Sequence, residues 1–225
     1  MNRRYVLAGG SGLVGRALAS QVSNDPRCTA LQVLLRKPLP ALEGLPHVRA
    51  VPWSSADMPR LEATDFALCA LGTTIHAAGS QAAFRAVDFN AVLAFAKAAQ
   101  RAGARRLALV SALGADVHAR VFYNRVKGQT EQALMELGFE ALVIARPSLL
   151  LGNRAVLQQA PRMGEALAQA MAPALAWLTP PRLRAIRAET VARAMLIALD
   201  NAGPGQHILE SDQLQRMGGS DVVSA

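Results

Sequence analysis

The sequence predicts an α/β fold, a doubly wound parallel sheet with a small, mainly helical C-terminal extension. Two features carry this prediction. Short apolar runs alternate with longer helical patterns, and a glycine-rich turn separates the first run from the first helix. Parallel strands need crossover helices, so the alternation indicates right-handed connections and a ligand crevice at the carboxyl ends of the strands.

Six apolar runs have the length and composition of buried strands. They are Arg4–Ala8, Ala30–Leu35, Val48–Val51, Phe66–Ala70, Leu107–Ser111 and Ala141–Ala145. The helices predicted between them are Leu13–Val22, Phe84–Ala102 and Phe122–Leu137. Glycine follows the last two helices as a stop signal.

After Pro147 the pattern becomes mainly helical. Helices are predicted at Val156–Gln159, Met163–Trp177 and Glu189–Leu199, followed by a short strand at Gln206–Leu209. Residues 152–205 are too few for an independent core, so we expect them to extend the same domain on the substrate side. Residues 216–225 are expected to form a loose tail. The chain, residues 1–225, is therefore predicted to be a single domain.

Composition favours a globular protein without disulfides. The chain has 225 residues, of which 52% are hydrophobic, enough for one substantial core. Cys28 and Cys69 lie in apolar segments without metal-ligand spacing, which predicts no metal site and favours a reducing cytoplasm. The first apolar run ends too early for a signal peptide. Met163–Leu178 is shorter than the roughly 20 residues that span a bilayer, so no membrane association is expected.

The chain is basic, with a formal net charge of +8. Its arginines are spread along the sequence without interleaved aromatic residues, a pattern that disfavours nucleic-acid binding. The expected partner is a small-molecule substrate, and the long helices are also compatible with a homodimer.

The stretch GGSGLVG, residues 9–15, is typical of a dinucleotide-binding turn. Gly9 would permit the tight turn, Gly12 would let a pyrophosphate reach the amides at the start of the helix, and Gly15 would let that helix pack closely. An ordinary turn is the alternative, but the strand before it and the helix after it favour the dinucleotide site. The predicted binding residues here are Gly9, Ser11, Gly12, Leu13 and Val14.

Arg36 and Lys37 occupy the end of the second predicted strand, where a dinucleotide site recognises the ribose of the adenosine half. An acidic residue there selects NAD, whereas a guanidinium and an ammonium favour the 2′-phosphate of NADP. The sequence therefore predicts NADP as the cofactor. A basic strand end facing water is the alternative.

Ser111, Tyr123 and Lys127 form a candidate catalytic set. Ser111 ends a predicted strand, and Tyr123 and Lys127 stand four residues apart in a predicted helix, on one face. A phenol is a poor acid or base near neutral pH, and a neighbouring ammonium favours its phenolate form. Ser111 would hydrogen-bond the substrate oxygen. The glycine turn, the strand-end serine and the helical pair occur along the chain in the order and spacing that a hydride-transfer site requires.

Five stretches together give the sequence a resemblance to the short-chain dehydrogenase/reductase superfamily. They are GGSGLVG, CALGTT, VSALGAD, FYNRVKGQTEQAL and ARPSLLLG. Within that superfamily the chain is similar to the atypical branch of Tat-interacting-protein-like oxidoreductases, small proteins with a Rossmann fold that binds NAD(P).

The resemblance implies roles for further residues. Ser111, Tyr123 and Lys127 match the catalytic residues of the family, and Lys127 would also hold the nicotinamide ribose. The segment Leu71, Gly72 and Thr73 would line the cofactor, and Pro147 and Ser148 would lie beside the nicotinamide. Val51-Pro52-Trp53 replaces the aspartate that many relatives place near the adenine, so the resemblance leaves the adenine contacts open.

Four further polar residues receive no catalytic role from the sequence. Longer members of the superfamily often supply a catalytic asparagine, and Asn90 is a candidate for it, but Asn90 and Asp88 are expected to face solvent or a neighbouring loop. His76 and His118 lie in expected loops without partners at ligand spacing. The leading hypothesis is an NADP-dependent oxidoreductase acting on a carbonyl or alcohol. A cofactor-binding regulator with little turnover is the alternative, because only a short segment follows the last motif.

Overall fold

A seven-stranded parallel sheet with helices on both faces organises residues 2–54, 58–151 and 180–219, which the computed structural model describes. The strands are β1 (Arg3–Ala8), β2 (Cys28–Leu35), β3 (Val48–Pro52), β4 (Phe66–Cys69), β5 (Arg106–Val110), β6 (Ala141–Arg146), β7 (Leu150–Leu151), β8 (Ile186–Arg187) and β9 (Gly205–Glu210). The helices are α1 (Leu13–Ser23), α2 (Pro40–Glu43), α3 (Ile75–Ala78), α4 (Gln81–Arg85), α5 (Val92–Arg101), α6 (Phe122–Met135), α7 (Ala188–Asn201) and α8 (Ser211–Gly219).

The strand order in the large sheet is β3-β2-β1-β4-β5-β6-β9, and β7 and β8 pair separately. The chain therefore winds outward from β1 in one direction and then from β4 in the other. Ligands of such sheets bind where the order reverses, at the carboxyl ends of the two central strands. The prediction of a doubly wound parallel sheet is confirmed, and each predicted strand lies within two residues of an observed one.

The core lies on both faces of the sheet because alternate residues of each strand point to opposite sides. On β1, Tyr5 and Leu7 join one hydrophobic cluster, which α1 and α7 complete. Val6 and Ala8 join the other cluster, under α5 and α6. Helix α7 thus packs over the sheet beside α1, and Met195 at its centre is fully buried.

The predicted helix Phe84–Ala102 is interrupted. A π-helical segment, Ala86–Ala91, separates α4 from α5, and it contains Asp88. Wider π turns inside helices are rare and often occur at functional sites. Phe84 and Phe95 are buried on either side of this segment, as they would be in one continuous helix. The apolar periodicity of the sequence therefore does not distinguish the π-helical segment from a regular helix.

The expectation of a loose tail is wrong for residues 216–219, which belong to α8. Leu214 of this helix is fully buried. A Cβ on Gly218 would lie 2.0 Å from the carbonyl oxygen of Thr190, so α8 packs directly on the backbone of α7. The predicted helices Val156–Gln159 and Met163–Trp177 lie outside the described residues, as does residue 220 onward.

Among the described helices, none combines the length and the apolar character needed to cross a membrane.

Replacing Gly218 by Ala tests the packing of α8. The added methyl group would overlap the backbone of α7, so we expect the free energy of unfolding to fall by about 1–3 kcal/mol. Gly219→Ala is the matched control, because a Cβ there would meet nothing within 4 Å. Urea denaturation of both variants measures the difference. Equal stability of the two variants would contradict the docked helix.

Candidate active site

The glycine-rich turn brings the start of α1 against the ends of β1 and β4. Gly9 has a φ of +86°, and a Cβ there would lie 2.3 Å from the carbonyl carbon of Ala70. A Cβ on Gly15 would lie 2.0 Å from the carbonyl oxygen of Gly9. The chain's own packing therefore requires glycine at both positions. At Gly12 the nearest atom would be 3.5 Å away, so packing alone does not require glycine there.

Gly12 is the N-cap of α1, and its amide donates to the carbonyl oxygen of Gly9 at 3.1 Å. No side chain caps the helix. Ser11 is exposed, whereas Leu13 packs against the core and Val14 is buried. Leu13 and Val14 thus turn inward, while no side chain caps the first amides of α1, an arrangement suited to an anion.

Arg36 and Lys37 directly follow β2 and are exposed. Neither side chain has a hydrogen bond or ion pair with any described residue. Both cations stand one strand away from the glycine turn, since β2 pairs with β1 in parallel register. The two side chains are therefore available to an anionic ligand at the carboxyl edge of the sheet.

A buried ion pair lies at the centre of the site. Lys127 Nζ is 2.8 Å from Asp88 Oδ1, and the two side chains are 6% and 0% exposed. Asp88 Oδ2 accepts a hydrogen bond from the backbone N–H of Thr73 at 2.9 Å. Burial, the largest single influence, lowers the pKa of Lys127, but Asp88, Tyr123 and Cys69 together raise it by more, with Asp88 foremost among them. The pKa therefore lies above its usual value and the amine stays charged.

Gly72 lies directly over this ion pair. It is exposed, and a Cβ there would come within 3.4 Å of Asp88 Oδ1 and 3.6 Å of Lys127 Nζ. Because glycine has no side chain, a bound molecule can approach the buried pair from the carboxyl edge of the sheet at this point.

Tyr123 lies one turn before Lys127 on α6 and is half-buried. Its ring packs against Phe84 of α4, with ring centroids 5.4 Å apart. Tyr123 also lies close enough to contribute to the raised pKa of Lys127. Its hydroxyl makes no hydrogen bond to another described residue, so it is available to a substrate oxygen. The structure thus brings Tyr123 and Lys127 together as the spacing predicts.

Ser111 is placed differently. Its hydroxyl donates to Glu131 Oε1, a carboxylate that is itself buried on α6. Glu131 stands eight residues beyond Tyr123, about 12 Å along the helix axis. With its proton directed to Glu131, Ser111 can accept a hydrogen bond but not donate one to a substrate.

Glu131 is held on its other side by Arg146, at the end of β6. The guanidinium donates to Oε1 at 3.1 Å and to Oε2 at 2.5 Å, and it also reaches Glu210 Oε1 at 3.1 Å. A bidentate contact of this kind fixes the orientation of the guanidinium plane relative to the carboxylate plane. Neither Glu131 nor Arg146 was predicted from the sequence as part of the site. The available signal was the position of Glu131, one further turn along the face that carries Tyr123 and Lys127.

Leu71, Pro147 and Ser148 lie on loops at the same edge of the sheet. Leu71 is buried under α5, and the carbonyl oxygen of Pro147 accepts from the backbone N–H of Leu113 at 3.0 Å. Ser148 donates to the carbonyl oxygen of Arg184 and accepts from Ser211 Oγ. The hydroxyl of Ser148 is thus engaged by the C-terminal part of the chain.

The expectation that Asp88 faces solvent or a neighbouring loop is wrong, because its carboxylate is wholly buried against Lys127. A sequence signal existed: Asp88 lies on the same helical stripe as the buried Phe84 and Phe95. Asn90 is exposed, as are His76 and His118. Over the described ranges, no group of three His, Cys, Asp or Glu side chains is arranged to hold a metal ion.

Cys69, at the end of β4, is the remaining titratable group beside the pair. Burial raises the pKa of its thiol to about 12. The thiol is therefore protonated near neutral pH and is not a nucleophile in this site.

No family model matches the sequence. The sequence is, however, similar to individual proteins. The protein named "FMP52, mitochondrial" of Coccidioides immitis is 30% identical over 234 residues, covering 96% of this chain and 94% of that protein. HTATIP2 of Rattus norvegicus is 31% identical over 225 residues, covering 96% of this chain and 90% of that protein.

The chain belongs to the atypical short-chain dehydrogenase/reductase superfamily, with FMP52 and HTATIP2. Solved structures share the fold of this atypical dehydrogenase/reductase. WbmH of Bordetella bronchiseptica, solved in complex with NAD⁺, has a TM-score of 0.68 at 15% identity, covering 93% of this chain and 75% of that one. At that identity the likeness shows the Rossmann fold alone.

The cytoplasmic location expected for this superfamily member is contradicted by its relatives. The FMP52 proteins from several fungi are named as mitochondrial. The expectation came from Cys28 and Cys69, which are both free and buried. Two such thiols indicate that no disulfide forms between them, but they do not distinguish one reducing compartment from another.

Breaking the ion pair between Lys127 and Asp88 tests whether it is buried and stabilises the fold. Lys127→Met would leave the Asp88 carboxylate buried with only the Thr73 amide as partner, so we expect the free energy of unfolding to fall by about 3–5 kcal/mol. Adding Asp88→Asn removes the stranded charge and keeps an oxygen for that amide. The double variant should recover at least half of the loss. Urea denaturation measures this, and a double variant less stable than Lys127→Met would contradict the pair.

Proposed function

We propose that the chain is an NADP-dependent oxidoreductase that transfers hydride between nicotinamide and a carbonyl or alcohol on a small molecule. One observation carries the proposal. The charged Lys127 amine lies under the exposed Gly72, one helical turn from the free hydroxyl of Tyr123. This arrangement supplies a proton donor, a fixed positive charge and an open approach at the reversal point of the sheet.

The residues present fit a dinucleotide. Gly12 leaves open the uncapped start of α1, where a pyrophosphate would be held by backbone amides. Leu71, Gly72 and Thr73 would line the middle of the cofactor, and Lys127 would hold the nicotinamide ribose. The likeness of the fold to WbmH, which was solved with NAD⁺, supports this class of cofactor.

NADP is proposed over NAD because of the two cations after β2. Arg36 and Lys37 are exposed and have no partner among the described residues. A guanidinium can bind the 2′-phosphate through two parallel hydrogen bonds, and the lysine adds a second positive charge. The ribose hydroxyl of NAD offers neither cation an anionic partner.

Bound at this site, the cofactor would supply or accept the hydride. In the reducing direction Tyr123 donates its phenolic proton to the substrate oxygen, and in the oxidising direction it takes that proton back. Lys127 keeps a positive charge beside the phenol and so favours the phenolate that forms. Ser111 precedes Tyr123 in the chain, but it can donate a hydrogen bond to the substrate only after its hydroxyl turns away from Glu131.

The state of Ser111 favours a second candidate function. One of three expected catalytic groups has its proton bound to a buried carboxylate. A protein that binds NADP(H) and signals its occupancy to a partner, with little turnover, needs the cofactor contacts but not this hydroxyl. Turnover of carbonyl compounds separates the two functions.

Tyr123→Phe tests the catalytic assignment. The variant keeps the ring against Phe84 but lacks the proton, so turnover should fall by roughly 10²–10⁴-fold. NADPH affinity should stay within about twofold of the unsubstituted chain, since one neutral hydroxyl is lost away from the phosphates. The measurements are NADPH oxidation with a panel of aldehydes, ketones and quinones, and calorimetric titration with NADPH. Unchanged turnover by the variant would remove Tyr123 from the reaction. No turnover by the unsubstituted chain, with NADPH still bound, would favour the regulatory function.

Arg36→Ala tests the choice of cofactor. Loss of a charge-assisted contact to the 2′-phosphate should raise the Kd for NADPH by about tenfold or more, with little effect on NADH. Arg101→Ala is the matched control, because Arg101 is also an exposed arginine but ends α5 at the opposite edge of the sheet. Calorimetry with both cofactors measures the effect. Equal losses for NADPH and NADH would contradict recognition of the 2′-phosphate.

A further inference from the structure

Asp88 links two parts of the site that the sequence keeps apart. One carboxylate oxygen contacts Lys127 on α6, and the other accepts the backbone N–H of Thr73 in the turn after β4. The backbone carbonyl of Asp88 also accepts from the Thr130 hydroxyl at 2.8 Å, which fixes the π-helical segment on α6. The carboxylate is wholly buried, so both contacts are shielded from water.

We propose that Asp88 is a positioning residue for the cofactor, which holds Lys127 charged and aligned with the Gly72–Thr73 turn. This inference rests on the proposed function, because Lys127 and that turn are taken there to contact the cofactor. It adds a residue that touches neither substrate nor cofactor. Asp88 acts on binding through the lysine whose charge it maintains.

The groups around Lys127 show why Asp88 is needed. Among the residues that the structure describes, three titratable side chains influence its amine: Asp88 from the π-helical segment, Cys69 from β4 and Tyr123 from α6. The Cys69 thiol stays neutral up to strongly alkaline pH, because burial raises its pKa to about 12. Asp88 is the principal group that opposes the effect of burial on Lys127. Without it, burial lowers the pKa of the amine and the proton is lost as the pH rises.

Asp88→Asn separates this role from a structural one. Asparagine keeps an oxygen for the Thr73 amide but removes the negative charge. In the unsubstituted chain, Lys127 is charged throughout pH 7–9, so the Kd for NADPH should change by less than about threefold over this range. In Asp88→Asn, the Kd should rise by about tenfold from pH 7 to pH 9, the loss of one charge-assisted contact. A purely structural defect would weaken binding equally at both pH values.

Two further variants sharpen the test. Asp88→Asn with Lys127→Arg replaces the amine by a guanidinium, which keeps its proton at pH 9, so binding should again be independent of pH. Thr130→Val is the matched control, because it removes a buried hydrogen bond to Asp88 without touching Lys127. It should bind NADPH like the unsubstituted chain at both pH values. Circular dichroism checks that each variant is folded.

The outcomes are distinguishable. If Asp88→Asn shows no pH dependence, or if the dependence persists with Lys127→Arg or appears in Thr130→Val, the inference is overturned while the proposed function stands. If Asp88→Asn does not fold, Asp88→Glu replaces it. That variant retains a charge and should bind NADPH independently of pH, and a tenfold change would overturn the inference. If the unsubstituted chain binds no NADPH, the proposed function fails and this inference fails with it.

Discussion

The close approach of the first turn to the neighbouring strand is the constraint on which the site depends. Residue 9 can lie against the backbone of Ala70 only because it has no side chain, and α1 can lie against that turn only because residue 15 has none. These contacts set the uncapped start of α1 beside the end of β4. The turn after β4 then places Gly72 over the ion pair. The backbone contacts of the glycine-rich turn with Ala70 therefore also help to position the opening above Lys127 and Asp88.

The chemistry of the site is concentrated on one face of α6. Tyr123, Lys127 and Glu131 follow one another at intervals of one turn, and each is bound to a different partner. Phe84 holds the phenol ring, Asp88 holds the amine, and Ser111 with Arg146 holds the carboxylate. The helix is thus anchored along the whole face, which keeps the phenol and the amine in fixed relation to the sheet.

Sequence reasoning predicted the strands well because buried parallel strands are continuous apolar runs with clear boundaries. It also predicted the Tyr123–Lys127 pair, since four-residue spacing on a helix fixes a shared face. It missed the burial of Asp88 because an acidic residue is assigned to solvent unless its partner is known, and Lys127 lies far away in sequence. It missed Glu131 for the same reason, and so the direction of the Ser111 hydroxyl could not be foreseen.

Helix α7 shows that the last part of the chain is integral to the core. Its Val191 and Met195 are fully buried in the cluster that also holds Leu7 of the first strand. Near its end, Asp200 pairs with Arg3 and Arg27, which flank the starts of β1 and β2. Truncation of the chain before residue 188 would therefore expose the part of this face of the sheet that α7 covers, and fragments ending there should be recovered as aggregates rather than as a smaller folded protein.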